Sequence, residues 1–96
     1  MSSLVIAIAE AKFSLGQLVI TANARTRLDP VDVQQGLSRH AAGDWGEVCP
    51  EDAASNDHGA KHGGTILSVY RSRGERFWII TDAGHAVTTV LMPGDY

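Results

Sequence analysis

Cysteine is almost absent from this sequence, in which Cys49 is the single cysteine among 96 residues. One cysteine excludes an internal disulfide, and with four histidines it gives no CxxC-type zinc signature. The sequence also lacks a G-x-S-x-G nucleophile motif, a P-loop and a dinucleotide-binding fingerprint. We therefore expect a protein of a reducing compartment that uses no cofactor.

Basic residues and long hydrophobic runs are also scarce. Eight Lys and Arg stand against eleven Asp and Glu, which gives a net charge of −3 and a pI of 5.7. This balance argues against a dominant phosphate-binding surface. The apolar run Leu4–Ala9 is too short to span a membrane and has no basic segment before it. We expect a cytoplasmic protein that does not enter a membrane.

The last third of the chain has the composition of a β-sheet. With 44% hydrophobic and 20% charged residues, the chain fits one globular domain that covers residues 1–96. Glycine turns at Gly74 and Gly84 separate three runs rich in β-branched and aromatic residues, namely Thr65–Arg73, Arg76–Asp82 and Ala86–Met92. These runs predict a three-stranded antiparallel meander.

The region before the meander carries strand and helix signals. They predict a strand at Gln17–Thr21, a short helix at Thr21–Leu28, a longer helix at Asp29–Ala42 and another that opens at Cys49 and ends by Gly59 or His62. Thr21 and Asp29 are favoured N-cap residues, and Pro30 and Pro50 suit the first helical position. Leu4–Ala9 is interpreted as a further strand. The predicted fold class is α+β, an antiparallel sheet with two to three helices packed on one face.

Alternation along the strands assigns their side chains to two faces. The side predicted to lie under the helices consists of Leu67, Val69, Phe77, Ile79, Val87 and Leu91. The opposite side carries the predicted binding residues, which are Tyr70, Arg76, Trp78, Ile80 and Thr88. Tyr, Trp and Arg are enriched at the energetic centres of protein interfaces. This side is either a recognition face or a face that the N-terminal segment or a second copy covers.

Two histidines and two arginines form a candidate catalytic group. His58 and His62 are four residues apart, so a helix would place both imidazoles on one side, where either could act as the base in metal-independent RNA cleavage. Arg71 and Arg73 would then hold the phosphate. A zinc site would need a third ligand from Cys49, Asp57 or His40, and no metal is predicted. His40, on an apolar helix face, is interpreted as a partly buried histidine with its hydrogen bonds satisfied.

Short motifs along the chain carry a resemblance to a known family. They are Phe13–Thr21, Arg39–His40, Gly43–Gly46, Asn56–Asp57, Ser68–Tyr70, Trp78–Thr81, Thr88–Pro93 and Tyr96. Together they resemble small bacterial plasmid-related proteins, which sit on plasmids and integrative elements among defence genes and have no assigned activity. The resemblance marks residues 1–11 as an N-terminal extension. The chain departs from the family pattern after Asp82, where Gly84 and His85 stand in place of an acid and an arginine.

These observations support one leading function and two alternatives. The leading hypothesis is a small accessory protein of a mobile element that docks its Tyr70 and Trp78 face on a protein partner. The family resemblance implies a host defence complex as that partner, in the manner of an anti-CRISPR or antirestriction protein. The order of elements is also similar to the RelE and barnase-like toxins, which gives a metal-independent ribonuclease as one alternative. The other is a structural protein that forms a homodimer.

Overall fold

The computed structural model describes residues 11–96, and the predicted strand Leu4–Ala9 lies outside them. The described chain forms four strands and three helices, in the order β1 (Gln17–Ile20), α1 (Ala22–Arg27), α2 (Pro30–Ala41), α3 (Pro50–His62), β2 (Ile66–Ser72), β3 (Glu75–Thr81) and β4 (Val87–Leu91), with a final 3₁₀ turn at Pro93–Asp95. The α+β class is confirmed. The longest of these helices has 13 residues, so no helix within residues 11–96 is long enough to cross a bilayer.

The predicted helix starts are confirmed at the atoms that cap them. Thr21 accepts a hydrogen bond from the backbone of Ala24, and Asp29 accepts one from the backbone of Val31. Each cap satisfies an N–H group that has no partner inside its helix. Pro50 begins α3, although Cys49 before it makes no side-chain cap. The local signals of the sequence therefore determine where these helices begin.

The sheet has the strand order β1-β4-β3-β2. β2, β3 and β4 form the predicted antiparallel meander, whereas β1 pairs with β4 in the parallel sense. The prediction of a wholly antiparallel sheet is therefore wrong at this strand. Three helices separate β1 from the meander along the chain, so no hairpin turn imposes an antiparallel direction on it.

The register of the hairpins corrects the predicted faces. Tyr70 pairs with Phe77 and Val69 pairs with Trp78, so even positions of β2 share a face with odd positions of β3. The shift repeats between β3 and β4, where Ile79 pairs with Val90. The face beneath the helices, here called the His40 face, consists of Ile66, Ser68, Tyr70, Phe77, Ile79, Thr81, Thr88 and Val90. The opposite face, here called the Trp78 face, consists of Leu67, Val69, Arg71, Arg76, Trp78, Ile80, Val87, Thr89 and Leu91.

Helices α1 and α2 pack on the His40 face. Ala24 and Leu28, at the start and end of the α1 region, and Leu37 of α2 join the main core cluster with Phe77 and Ile79. Gly36 allows α2 to lie this close, because a Cβ atom there would come within 3.2 Å of the side chains of Ile79, Phe77 and Tyr70. The close approach brings the next turn of α2, with His40, against the sheet.

Two protein segments cover the outer edge of β2. The backbone of Val69 donates to the carbonyl of Trp45 and accepts from the N–H of Glu47. The Asn56 side chain of α3 does the same for Leu67, accepting from its N–H at 3.0 Å and donating to its carbonyl at 2.7 Å. The backbone groups that Leu67 and Val69 would offer to another strand at a free edge are therefore occupied.

Candidate functional site

The Trp78 face is the candidate site, because it lies opposite α1 and α2 and presents aromatic and cationic side chains. Its centre is well packed, since Val69, Ile80 and Leu91 are 9%, 7% and 5% exposed. Trp78 is half-buried between these residues, and the side chains of Arg71 and Arg76 next to it are exposed. The face therefore combines a packed apolar floor with exposed charged groups at one end.

Arg71 and Arg76 are cross-strand neighbours, and one carboxylate holds them together. The Nε atoms of Arg71 and Arg76 lie 2.8 and 3.1 Å from the two carboxylate oxygens of Glu47. These hydrogen bonds, first that of Arg71, hold the pKa of Glu47 below its usual value. Like charges directly opposite each other destabilise a strand pair, and Glu47 offsets that repulsion. Within residues 11–96 the terminal guanidinium nitrogens of this pair make no hydrogen bond.

The C-terminal residue extends the aromatic surface of Trp78. The rings of Trp78 and Tyr96 are 5.7 Å apart and meet edge to face at 67°, and Tyr96 is 85% exposed. Asp95 fixes the turn before Tyr96 by accepting hydrogen bonds from the side chains of Thr21, at 2.7 Å, and Asn23, at 3.1 Å. The bond from Thr21 is the main reason that the pKa of Asp95 is lowered. The last residue is thus held beside Trp78 by an anchor to the start of α1.

A shallow cleft of about 440 Å³ adjoins the arginine pair. It is lined by Asn23, Arg27, Arg71, Gly74, Glu75, Arg76, Met92, Pro93 and Gly94. Arg27 pairs with Glu75 at 3.3 Å across its rim. Arg71 and Arg76 belong both to the cleft and to the Trp78 face, so a group that binds these arginines can contact the cleft and the face at once.

Three of the five predicted binding residues do not belong to an accessible surface. Tyr70 is 3% exposed on the His40 face, where its hydroxyl donates to the carbonyl of Asp44 at 2.6 Å. Burial also raises its pKa. Thr88 is fully buried on the same face, and Ile80 is 7% exposed. Arg76 and Trp78 remain on the Trp78 face as predicted.

Thr88 belongs to a buried chain of hydrogen bonds centred on His40. The imidazole nitrogens of His40 lie 2.6 Å from Ser68 Oγ and 2.9 Å from Thr81 Oγ1, and Thr81 Oγ1 lies 2.7 Å from Thr88 Oγ1. Thr88 donates to the carbonyl of Leu15 at 2.6 Å. The prediction that the hydrogen bonds of His40 are satisfied is confirmed, whereas the ring is fully buried and not partly buried as predicted. Its partners come from strands that the sequence alone did not connect to it.

The hydrogen bond from Thr88 to the carbonyl of Leu15 determines the donor and the acceptor of the other hydrogen bonds in this network. Because Thr88 gives its only proton to Leu15, Thr81 must donate to Thr88 and accept from His40. His40 therefore carries its proton on Nε2, and Nδ1 accepts from Ser68. Burial, and secondarily the nearby His85, lowers the pKa of His40 to about 3. The group is a neutral structural element with no open path to a substrate.

The predicted catalytic residues do not meet in one cleft. His58 and His62 lie together on α3, with ring centroids 4.3 Å apart. Arg71 and Arg73 lie at the opposite end of β2, about 20 Å along the strand from its first residue. Within residues 11–96 no three His, Cys, Asp or Glu side chains are grouped as a metal site. Of the proposed third zinc ligands, His40 is buried, Cys49 precedes the first residue of α3, and Asp57 accepts a hydrogen bond from the indole N–H of Trp45.

Comparison of the chain with protein-family models, with curated proteins and with solved structures finds no match.

Proposed function

We propose that this protein is a binding module that docks its Trp78 face on a protein partner. The observation that carries the proposal is the position of Trp78, half-buried and in the middle of a face opposite the helices, between Tyr96 and the Arg71–Arg76 pair. Trp, Tyr and Arg dominate binding energies at protein interfaces, because they combine large apolar area with a polar group. A rigid floor also lowers the entropy that binding costs.

The chemistry of the face favours a protein over a nucleic acid. Glu47 lies between the two arginines, where its carboxylate would repel a phosphate backbone. The net charge of −3 has the same effect at longer range. A partner that fits places an apolar side chain against Trp78 and Tyr96 and a single carboxylate against the terminal nitrogens of Arg71 and Arg76.

The family resemblance adds a class of partner to this chemistry. Proteins of mobile elements meet restriction and CRISPR complexes, and a small protein that occupies one surface of such a complex inhibits it without catalysing a reaction. We therefore propose inhibition of a host defence complex as the first role to examine. The proposal rests on the resemblance for the partner and on the Trp78 face for the mode of binding.

The test is a capture experiment with purified restriction and CRISPR complexes as prey and four baits. The baits are the wild-type protein, Trp78→Ala, Arg76→Glu and the control Val31→Ala, which shortens an exposed apolar side chain of α2 on the other side of the molecule. We expect wild type and Val31→Ala to retain one complex and the two face variants to lose it. Equal retention by all four folded baits, or by none, would overturn the proposal.

A further inference from the structure

His58 and His62 form the one close pair of exposed histidines within residues 11–96 that the proposed function does not use. They occupy positions i and i+4 of α3, which places both imidazoles on the same side of the helix. Their ring centroids are 4.3 Å apart and their planes differ by 37°. The same spacing on a helix supplies two metal ligands in zinc-dependent proteases.

The last turn of α3 holds this pair in a defined position. The backbone N–H groups of Gly63 and Gly64 both donate to the carbonyl of Gly59, at 2.9 and 3.1 Å. Gly59 lies so close to the next segment that a Cβ atom there would come within 2.9 Å of the carbonyl of Thr65. Gly84 in the β3–β4 loop then donates to the carbonyl of Gly63 at 2.8 Å. The glycines of this turn therefore allow close packing that anchors the helix end, instead of loosening it.

We propose that His58 and His62 chelate one divalent transition-metal ion, with one ring nitrogen from each. Neutral imidazole is a preferred ligand of Cu²⁺, Ni²⁺ and Zn²⁺. Two rings that bind one ion at a right angle, as in the tetragonal geometry of Cu²⁺ and Ni²⁺, with bonds of about 2.0–2.1 Å, have centroids roughly 4.5 Å apart. The observed separation of 4.3 Å is close to this value, which favours Cu²⁺ and Ni²⁺ over tetrahedral Zn²⁺. The proposal is independent of binding at the Trp78 face.

The site is open, because within residues 11–96 no third protein ligand is grouped with the two histidines. Water, or a donor atom from another molecule, fills the remaining positions around the ion. Metal that binds only the folded helix also stabilises it, since the unfolded chain does not hold the two rings at this spacing. Bound metal would therefore raise the unfolding temperature and protect the last turn of α3 from hydrogen exchange.

The test uses the full chain without a histidine tag, titrated with Cu²⁺ and with Zn²⁺. Calorimetry is expected to give one ion per chain, and electron paramagnetic resonance of the Cu²⁺ form is expected to show coupling to imidazole nitrogens. His58→Ala and His62→Ala are each expected to weaken binding at least tenfold. Three control variants, Lys61→Ala on the same turn, His85→Asn in the loop and Cys49→Ser at the start of α3, are expected to bind as wild type.

Two results would overturn the assignment. One is a double variant, His58→Ala/His62→Ala, that binds either ion as tightly as wild type. The other is the absence of saturable binding to the wild-type protein. Circular dichroism of the double variant separates loss of the ligands from loss of the fold, because both histidines are exposed and their removal leaves the core unchanged.

Discussion

On the His40 face the polar groups are buried and bonded to one another, whereas on the Trp78 face they reach solvent. His40 forms hydrogen bonds with Ser68 and Thr81. Thr81 forms one with Thr88, which donates to the carbonyl of Leu15. Arg71 and Arg76 share one carboxylate and keep their terminal nitrogens accessible. The same strands therefore hold the fold together on one side and carry the proposed binding surface on the other, so that mutations should separate stability from binding.

The largest effect is expected from His40→Ala, which breaks the polar chain at its centre. The change removes a fully buried ring and leaves the hydroxyls of Ser68 and Thr81 without that partner. A cavity and unsatisfied polar groups together cost about 3–4 kcal/mol in the free energy of unfolding. Urea denaturation measures this cost, and Arg27→Ala, which removes an exposed ion pair with Glu75, is the control and should cost less than about 1 kcal/mol. A His40→Ala protein as stable as this control would contradict the account.

The pH dependence of stability is the next largest effect. The pKa of His40 is lowered to about 3 in the folded protein, whereas an unfolded histidine titrates near its ordinary value of 6.5. Between these two pH values His40 is protonated in the unfolded chain and neutral in the folded protein. The free energy of unfolding therefore decreases as the pH falls below 6.5. We expect a loss of about 2 kcal/mol between pH 7 and pH 5.

Urea denaturation at several pH values measures that slope, and nitrogen NMR of the His40 ring should show the neutral tautomer protonated on Nε2 throughout. A variant without the imidazole, such as His40→Ala, should lose most of the slope if it folds. A wild-type protein with constant stability between pH 7 and pH 5 would show that His40 is protonated in the folded state as easily as in the unfolded one.

Two neighbouring threonines, one on each face, allow the two faces to be compared by the same substitution, with a smaller expected effect on stability. Thr88→Val keeps the shape of the side chain but leaves both the carbonyl of Leu15 and the hydroxyl proton of Thr81 without a partner, which is expected to cost about 2 kcal/mol. Thr89→Val makes the same chemical change on the Trp78 face, where no buried hydrogen bond to another of residues 11–96 is lost, and is expected to change stability by less than about 0.5 kcal/mol. Equal effects of the two changes in urea denaturation would mean that the two faces do not differ as described.

The smallest effect on stability is expected from Glu47→Gln. The change removes the carboxylate between Arg71 and Arg76 and leaves two guanidinium groups facing each other in solvent. The unfolding temperature should fall slightly at low ionic strength and return to the wild-type value at high salt, because salt screens exposed charges. A difference from wild type that persists at high salt would indicate that Glu47 has a packing role as well.

Local signals in the sequence predicted the elements well but not the direction of one strand. Capping residues such as Asp29 act within a few residues of the chain, so the ends of α1 and α2 followed from the sequence. The parallel pairing of β1 depends on how the three helices between β1 and the meander pack, and no residue near β1 specifies that packing. The helical spacing of His58 and His62 was likewise visible in the sequence, whereas the packing that anchors Gly59 was not.

The faces were assigned wrongly for β2 and β4 because alternation fixes sides only within a strand. The two-residue turn at Arg73 and Gly74 pairs Ser72 with Glu75, and this shifts the register by one residue between neighbouring strands. Counting across that turn would have separated Tyr70 from Trp78 and placed Tyr70 with Phe77. The partners of His40 could not be counted in this way, since they depend on how α2 crosses the sheet.

We propose that the His40 face maintains the fold while the Trp78 face binds the partner. The most direct measurement takes the Trp78→Ala and Thr88→Val proteins through urea denaturation and through capture of the same defence complex. We predict that Trp78→Ala unfolds cooperatively yet loses the complex, and that Thr88→Val loses stability yet retains the complex below its unfolding transition. A folded Trp78→Ala protein that captures the complex as wild type does would contradict the claim.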